Sequence, residues 1–194
     1  MYSHLIKHIR NYVPLSDEQA EMLCVHIRPI ELKKKEHLLQ EGEICRANYF
    51  VEQGGLCMYF NHEKGVEKLT QFAMEGWWIS DYMSMALQKP ATFGIKAFED
   101  SLVLALDVEA QEKVYAELPQ LERYFRLMMQ RGYAAHQTRL RYIRERTAEE
   151  TYLSFRSQFP DFVQRIPQYM LASYLGLTPE YLSELRKKDS TRIS

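Results

Sequence analysis

Apolar and polar residues alternate in short segments between Pro29 and Asp107. The clearest of these segments, rich in β-branched and aromatic residues, are NYFVEQ, GLCMYFN, VEKLTQFA, FGIKAFE and LVLALD. Alternation over so few residues indicates β-strands with one buried face. Glycines separate the segments and indicate turns, at Gly42, Gly54, Gly55, Gly65 and Gly76. Several short strands at this spacing predict a sandwich or barrel-like roll, and no helical periodicity interrupts the run.

Helical patterns flank the strand run on both sides. Residues 2–27 are predicted to be helical, with Ser16 as an N-cap before an acidic first turn. A long helix is predicted over residues 118–146, because the proline near its start is tolerated in a first turn. The segment TAEE, residues 147–150, is a capping box that starts another helix, and Pro160 ends that helix. The break near residue 146 predicts a domain boundary.

The predicted long helix is apolar on more than one side. One seam with a seven-residue spacing consists of Leu121, Met128, Ala135 and Tyr142. A second stripe beside it consists of Phe125, Met129, His136 and Ile143. Since such a helix needs more than one partner surface, we expect the seam to pair with a second copy and the stripe to face the roll. The alternative is a single helix lying on the core of its own domain.

The segment QYMLASYLGLTPEYLSELRKK, residues 168–188, predicts two short helices joined at Gly176. Five leucines fall where the two helices would bury them against each other, namely Leu171, Leu175, Leu177, Leu182 and Leu185. Ala172 stands where the helices cross closely. Thr178 is placed to cap the second helix and Pro179 to occupy its first position. This is the helix-turn-helix arrangement.

The outer face of the second helix would carry the DNA contacts. With its leucines buried, that face shows Glu180, Ser183, Glu184 and Lys187, whose side chains suit base edges. Arg186, Lys188 and Arg192 suit phosphate groups. Thr178, at the start of the second helix, completes the set of candidate DNA-contacting residues. The alternative for the basic residues is a solvated helix end stabilised by the helix dipole.

Charge is distributed unevenly, although the formal net charge is only −1. Residues 1–117 carry a net charge of −6, residues 118–146 carry +5, and residues 147–194 are neutral. A polyanionic partner would therefore meet the C-terminal half. No apolar run approaches the roughly 18 residues that a membrane span needs. The N-terminus also lacks an apolar core of the signal-peptide type, so we expect a cytoplasmic protein.

Metal or catalytic chemistry has little support in the sequence. Cys24, Cys45 and Cys57 are too far apart for a close-spaced metal motif, and we expect them to be small buried hydrophobic residues. His4 and His8 stand four apart on a predicted helix, but they have no third ligand nearby in the sequence. No catalytic triad, acid pair or phosphate-binding loop is evident. We therefore expect neither an enzyme nor a metal or iron–sulfur cofactor.

Taken together, these segments resemble the Crp–Fnr family of dimeric bacterial transcription regulators. The segment LLQEGEICRANYFVEQGGLCMYF resembles the roll signature of the family, with Gly42 and Gly55 at its glycine positions. The segment GLTPEYLSELRKK resembles the family's recognition segment, with Glu180 at its DNA-reading glutamate. The resemblance implies an α+β fold with an N-terminal antiparallel β-roll, a cyclic-nucleotide-binding-like double-stranded β-helix. A long dimerisation helix and a C-terminal helix-turn-helix domain follow it.

The implied domains are residues 1–117 for the sensor, 118–146 for the dimerisation helix and 147–194 for DNA binding. The implied partners are double-stranded DNA, a second copy of the chain and RNA polymerase. In this hypothesis, the roll senses a small effector and positions two recognition helices in the major groove. The acidic residues Glu180 and Glu184 favour an alternative, a ligand-binding or protein-interaction module whose degenerate helix-turn-helix does not bind DNA.

The candidate effector pocket departs from the cAMP-binding members of the family. In the segment GWWISDYMSMALQKPATFGIKAFED, Gly76 is kept, but Trp77 stands at the position of a glutamate. Ala91 stands at the position of the phosphate-binding arginine, and Thr92 after it matches the family. On the long helix, the base would be contacted by His136 and Gln137. Without the arginine, we expect the effector to be a molecule other than cAMP. For His136, lining a pocket and simple burial remain open.

Overall fold

The computed structural model describes residues 1–62 and 65–193, with side chains as far as residue 188. Its helices are α1 (Ser3–Arg10), α2 (Asp17–Val25), α3 (Tyr82–Leu87), α4 (Val108–Glu117), α5 (Gln120–Glu145), α6 (Ala148–Gln158), α7 (Pro160–Arg165), α8 (Gln168–Leu175) and α9 (Pro179–Ile193). Its strands are β1 (Ile27–Leu32), β2 (His37–Leu39), β3 (Ala47–Gln53), β4 (Gly55–Asn61), β5 (Glu67–Met74), β6 (Trp78–Ile79), β7 (Gly94–Ala97) and β8 (Ser101–Asp107). The chain divides into two compact units, one of residues 1–130 and one from Arg131 onward.

The first unit begins with two helices, where the sequence predicts helical structure over residues 2–27 with an N-cap at Ser16. The break falls at Pro14, which lacks the amide that would continue the hydrogen bonding of a helix. The predicted cap at Ser16 is confirmed, because its hydroxyl accepts from the Gln19 amide at 3.2 Å. The Gln19 side chain in turn accepts from the Ser16 amide at 3.1 Å, which completes a capping box.

The described strands form two antiparallel four-stranded sheets, with the orders β1-β8-β3-β6 and β2-β7-β4-β5. The inner faces of the two sheets bury a common apolar cluster that includes Tyr49, Val51, Leu56, Ile95 and Val103. Since side chains alternate along a strand, the next residues point outward from the first sheet. There, Phe50 and Leu104 pack in a second apolar cluster with residues of α1, α2, α4 and the start of α5. The predicted β-roll is confirmed.

The short helix α3 interrupts the strand run, so the prediction of uninterrupted strands is wrong there. Asp81 caps this helix, because the Ser84 amide donates to its Oδ1 atom at 3.0 Å. Gln88 ends the helix with a left-handed backbone at φ 50°. Six residues are less than two helical turns, and they are too few to produce a recognisable helical period.

The second unit contains most of α5 and the helices α6 to α9. The predicted capping box at Thr147 is confirmed, because the Glu150 amide donates to the Thr147 hydroxyl at 3.3 Å. Pro160 follows the end of α6, as predicted, but it also begins α7, a helix that the sequence analysis missed. None of the described helices combines the length and apolar composition needed to cross a membrane.

Candidate nucleic-acid interface and effector site

The helices α8 and α9 form the predicted helix-turn-helix, with Gly176 between them. Gly176 has φ 72°, a left-handed backbone that glycine adopts without a steric penalty. The Leu177 amide donates to the Ala172 carbonyl at 2.8 Å, which closes the end of α8. The Thr178 hydroxyl accepts from the Tyr181 amide at 3.2 Å, so the predicted cap of α9 is confirmed.

Apolar packing fixes the two helices against each other. Leu171, Leu182 and Leu185 are buried, and so is Ala172 at the predicted crossing. Leu175 and Leu177 are half-buried rather than enclosed. The unpredicted helix α7 and the residue after it supply further buried side chains, namely Phe162, Val163 and Ile166. The hairpin is therefore part of a small apolar core and does not depend on its leucines alone.

The outer face of α9 presents most of the candidate DNA contacts. Exposed residues of the set are Thr178, Glu180, Glu184, Lys187 and Lys188. Ser183 and Arg186 are half-buried, so their side chains lie at the edge of this face. The side chain of Arg192 lies outside the described residues. This arrangement places two carboxylates toward the start of the helix and the basic groups toward its end. A partner that lies against this face could therefore donate hydrogen bonds to the carboxylates and accept them from the basic groups.

Tyr181 lies at the edge of this face, and the sequence analysis did not include it. Its side chain is 40% exposed, next to Glu180 and one turn from Glu184. A phenol combines an apolar ring, which can contact a thymine methyl group, with a hydroxyl that can bind a phosphate. The sequence did contain a signal for this exposure, because neighbouring residues of a helix point about 100° apart and Tyr181 directly precedes the buried Leu182.

Arg139 connects the long helix to the first helix of the hairpin within the second unit. Its Nη2 atom donates to the backbone carbonyl of Tyr174 at 3.0 Å. Its guanidinium group also lies over the Tyr174 ring, 4.0 Å from the centroid. A hydrogen bond and a cation–π contact between the same two residues fix the angle between α5 and α8.

The predicted dimer seam on α5 is wrong at Leu121. Leu121 is fully buried in the apolar cluster of its own unit, and Met128 packs partly against the same cluster. Ala135 is exposed, and Tyr142 is half-buried beneath the Arg146 guanidinium, 3.6 Å from its ring centroid. A seven-residue spacing alone cannot show which apolar residues of the helix pack against the sheet of the same chain and which remain exposed for a second copy.

The neighbouring stripe also differs from its prediction. Phe125 contacts the outer side of the roll, with its ring centroid 5.0 Å from that of Trp78. Beyond Phe125 the stripe is exposed at Met129, which lies in the same unit as the roll, so the prediction that it faces the roll is wrong at Met129. His136 and Ile143 are exposed residues of the second unit. His136 is therefore not a buried histidine.

A row of exposed side chains that shares His136 and Ile143 with this stripe lies on the part of α5 in the second unit. Tyr133 is 66%, Leu140 48% and Ile143 61% exposed, and exposed His136 lies between them. The separations of three, four and three residues place all four side chains on one face of a helix. This row has the spacing of a helix that pairs with another helix.

The loop that follows α3 holds the candidate effector residues Ala91 and Thr92. The Thr92 amide donates to the Oδ2 atom of Asp81 at 3.2 Å, and this carboxylate is only 3% exposed. The Ala91 amide donates to the Glu43 carbonyl at 2.7 Å, and the Ala91 side chain is buried. The loop is thus closed by groups of the chain itself, one of them a buried carboxylate.

Two other candidate pocket residues lie elsewhere on the same unit. Gly76, with φ 82°, forms the turn after β5, and a Cβ atom there would lie 3.8 Å from the ring of His8 in α1. Trp77 beside it is 43% exposed. The acidic residue at Thr92 is Asp81, which the sequence analysis did not include among the pocket residues. His136 and Gln137 are exposed residues of the second unit.

The cysteines show no sign of a reactive or metal-binding role. Cys45 and Cys57 are buried, as predicted, whereas Cys24 is half-buried. Burial raises the pKa of the Cys57 thiol to about 12 and also raises the pKa values of the other two thiols. Across residues 1–62 and 65–193, no three histidine, cysteine or acidic side chains are grouped to hold a metal ion.

Comparisons with known proteins agree with this architecture. Residues 29–117 match the model of the cyclic nucleotide-binding domain family. The fumarate and nitrate reduction regulatory protein of Vibrio cholerae is 24% identical over 179 residues, which cover 87% of this chain and 70% of that protein.

Solved structures resemble the chain over most of its length. FixK2 from Bradyrhizobium japonicum matches with a TM-score of 0.72 at 18% identity, covering 86% of this chain and 85% of that one. A putative transcriptional regulator of the Crp/Fnr family from Eubacterium rectale matches with a TM-score of 0.68 at 15% identity, covering 94% and 88%. At these identities, the likeness shows a shared fold.

Proposed function

Because this chain belongs to the Crp–Fnr family of regulators, we propose that it is a dimeric transcription regulator that binds double-stranded DNA through α9. The observation that carries the proposal is the complete helix-turn-helix. Its core is buried at Leu171, Leu182 and Leu185, and it presents one polar face that no described residue of the second unit covers. The proposal includes no enzymatic activity. It places the protein in the cytoplasm, where it would meet DNA.

The chemistry of the outer face supports contact with base edges. A glutamate can accept a hydrogen bond from the amino group of cytosine, and a lysine can donate to guanine. Glu180 and Glu184 are exposed near the start of α9, where a recognition helix points into the major groove. Lys187 and Lys188 are exposed one turn further on. The half-buried Arg186 completes a basic end that suits phosphate groups.

Dimerisation would place two such helices on one duplex. In this proposal, the exposed row of Tyr133, His136, Leu140 and Ile143 pairs with the same row of a second copy. A two-fold axis along α5 brings identical surfaces together, as in most homodimers. Two recognition helices related in this way fit half-sites that lie about one helical turn of DNA apart.

Residues 1–117 act as the sensor in this account, 118–146 as the dimerisation helix and 147–194 as the DNA-binding domain. The contact between Arg139 and Tyr174 gives α5 a direct means of orienting α8. A shift of α5 relative to its twin would therefore also move the hairpin. RNA polymerase is the partner that a regulator bound upstream of a gene would contact.

The effector is proposed to be a molecule other than cAMP. A cyclic phosphate is an anion, and burying an anion without a positively charged partner costs on the order of several kcal/mol. Ala91 offers no charge, and the Thr92 amide is already bonded to the Asp81 carboxylate, which would repel a phosphate. A neutral or weakly polar molecule meets no such repulsion.

A second candidate function follows from the acidity of the outer face. Glu180 and Glu184 are both exposed near the start of α9, where like charge opposes the approach of DNA. This favours a ligand-binding or protein-interaction module whose helix-turn-helix has lost DNA binding.

Salt dependence separates the two candidate functions. The measurement is the affinity for a duplex selected from a random pool, determined at increasing salt concentration. A DNA-binding protein that neutralises six or more phosphates loses roughly a thousandfold in affinity between about 50 mM and 200 mM salt. A weak response to salt, or no duplex bound above background, would favour the interaction module. Lys187→Ala should reduce the slope, and Lys113→Ala on exposed α4 is the matched control.

A further inference from the structure

The middle of α5 is exposed on every side. The helix runs from Gln120 to Glu145, and Leu121 and Tyr124 near its start are fully buried. All ten residues from 129 to 138, in contrast, are exposed. Ten residues make almost three helical turns, so the exposure extends around the whole helix and not only along one face. Residues 129–138 are called the exposed segment below.

Contacts with the rest of the chain hold α5 on both sides of the exposed segment. Before it, the Phe125 ring lies 5.0 Å from the ring of Trp78. After it, Arg139 donates to the Tyr174 carbonyl at 3.0 Å and lies over the Tyr174 ring. Most of the stability of a helix in a protein comes from the packing of one face. Since the exposed segment has no buried face, its helical state depends on the helix propensity of its own residues.

The composition of the exposed segment is poor for a helix that must stand without packing. Gly132 lies in its interior, and a Cβ atom there would meet nothing within 4 Å, so no close contact requires a glycine. Glycine in an exposed helix interior costs about 1 kcal/mol relative to alanine. Tyr133, His136 and Thr138 also have lower helix propensities than alanine.

Thr138 weakens the segment at its other end. Its hydroxyl donates to the carbonyl of Ala134, four residues earlier, at 2.9 Å. Such a side-chain bond competes for a carbonyl of the helix, so it slightly destabilises the helix and often bends it. Isolated helices shorter than roughly 12–15 residues are marginal in water even when they are rich in alanine. The exposed segment is shorter than that and contains both a glycine and this competing bond.

The exposed segment nevertheless belongs to an apolar seam. Met129 and Tyr133 are 47% and 66% exposed, and the series continues through His136, Leu140 and Ile143. The separations of four, three, four and three residues are those of a helix that buries its seam against a second helix. A second copy of the chain offers the identical seam, as a two-fold interface requires. We therefore take a second copy as the occupant of this surface.

We propose that the exposed segment opens readily in a single copy and is held helical by the second copy, so that dimerisation and helix formation form one coupled equilibrium. This inference rests on the dimer of the proposed function and adds a means of regulating it. Part of the free energy of association is used to order residues 129–138. A change that stabilises the segment therefore also strengthens the dimer, and a change that loosens the segment weakens it.

Hydrogen–deuterium exchange on the full chain without DNA, with sedimentation velocity at the same protein concentrations, tests the coupling. In the dimer, amides of residues 129–138 should exchange at least tenfold more slowly than in the monomer at low concentration. Amides of residues 121–125 should exchange equally in both, because their own unit covers Leu121 and Tyr124. Leu140→Glu, which is designed to separate the copies, should show the fast exchange at every concentration. A dimer whose exposed segment exchanges as fast as in the monomer overturns this inference and leaves the proposed dimer intact. A wild type that stays monomeric overturns both.

Gly132→Ala measures the stability of the exposed segment itself. The substitution is made in Leu140→Glu, so that no second copy contributes, and it should slow exchange of residues 129–138 about fivefold, which corresponds to about 1 kcal/mol. Ser157→Ala in the same background is the matched control. It raises helix propensity at an exposed position of α6 and should leave the exchange of residues 129–138 unchanged. No slowing with Gly132→Ala, or equal slowing in both variants, would overturn the inference. Melting curves confirm that each variant is folded.

Discussion

The side-chain carboxylate of Asp81 accepts a hydrogen bond from the backbone amide of Thr92 at 3.2 Å. The other oxygen of the same carboxylate caps α3 through the Ser84 amide at 3.0 Å. One buried acidic group therefore ties the loop after α3 to the start of that helix. The Thr92 amide therefore has its acceptor within the chain.

We predict that cAMP does not stabilise this protein. Binding would have to break the Asp81–Thr92 hydrogen bond and bring an anion next to a carboxylate. A ligand at 100 times its dissociation constant stabilises a fold by about 2.7 kcal/mol, which is a clear shift in a thermal melt. Millimolar cAMP and millimolar AMP should leave the melting temperature equally unchanged. A rise with cAMP that AMP does not produce contradicts this account of the loop.

Buried acidic groups in the roll predict a loss of stability at alkaline pH. Burial raises the pKa values of Cys57, Tyr49 and Tyr59 to about 12, from ordinary values of 9.0 for the thiol and 10.0 for the phenols. The unfolded chain therefore releases these protons at lower pH than the folded chain. Stability is fully present below about pH 9 and should fall as the pH rises toward 12. Urea denaturation between pH 7 and about pH 11 measures this, and a flat free energy of unfolding would contradict it.

The strands, the caps and the hairpin were predictable because each depends on local chemistry. Alternation and glycines identified the roll, and the capping residues Ser16 and Thr147 are both confirmed. Gly176 marked the turn of the hairpin, since its left-handed backbone favours glycine. The residues that determine each of these features lie close together in the sequence, so the local sequence is sufficient to predict them.

Features that depend on distant contacts were missed or misplaced. Leu121 has the spacing of a dimer seam, but the sheet and α1 bury it, and no spacing in α5 reveals that. Asp81 meets Thr92 across an eleven-residue separation that includes α3. The sequence analysis therefore compared Trp77 with a glutamate of the family and did not identify Asp81.

The exposed row on α5 predicts a variant that separates the dimer. Leu140→Glu would place two facing carboxylates at the two-fold axis. The free-energy cost of burying these unpaired charges is larger than the stabilisation that a surface ion pair provides. Sedimentation velocity should show a dimer for the wild type and a monomer for this variant. Thr138→Glu adds the same charge about 160° around the helix from position 140 and should remain a dimer. A dimeric Leu140→Glu would place the interface on another surface.

Glu180 is predicted to select one base and not merely to add affinity. Glu180→Ala should relax the choice at a single base position, because one good base contact contributes roughly 1–3 kcal/mol of discrimination. Selection from random duplexes with the wild type and the variant measures this directly. Tyr169→Ala is a suitable control, since that exposed ring lies on α8 and not on the recognition helix. An identical motif for the wild type and Glu180→Ala would remove Glu180 from the base-contacting set.

The most direct test of the central claim is selection of bound sequences by the wild-type protein from a pool of random DNA duplexes. A dimer with two recognition helices predicts an enriched motif with two-fold symmetry, whose half-sites are centred about 10 base pairs apart. The account predicts that the same duplex competes for the protein better than unselected DNA at physiological salt. A pool that shows no enrichment, or that yields only a single unsymmetrical site, would contradict the proposal that this protein is a dimeric DNA-binding regulator.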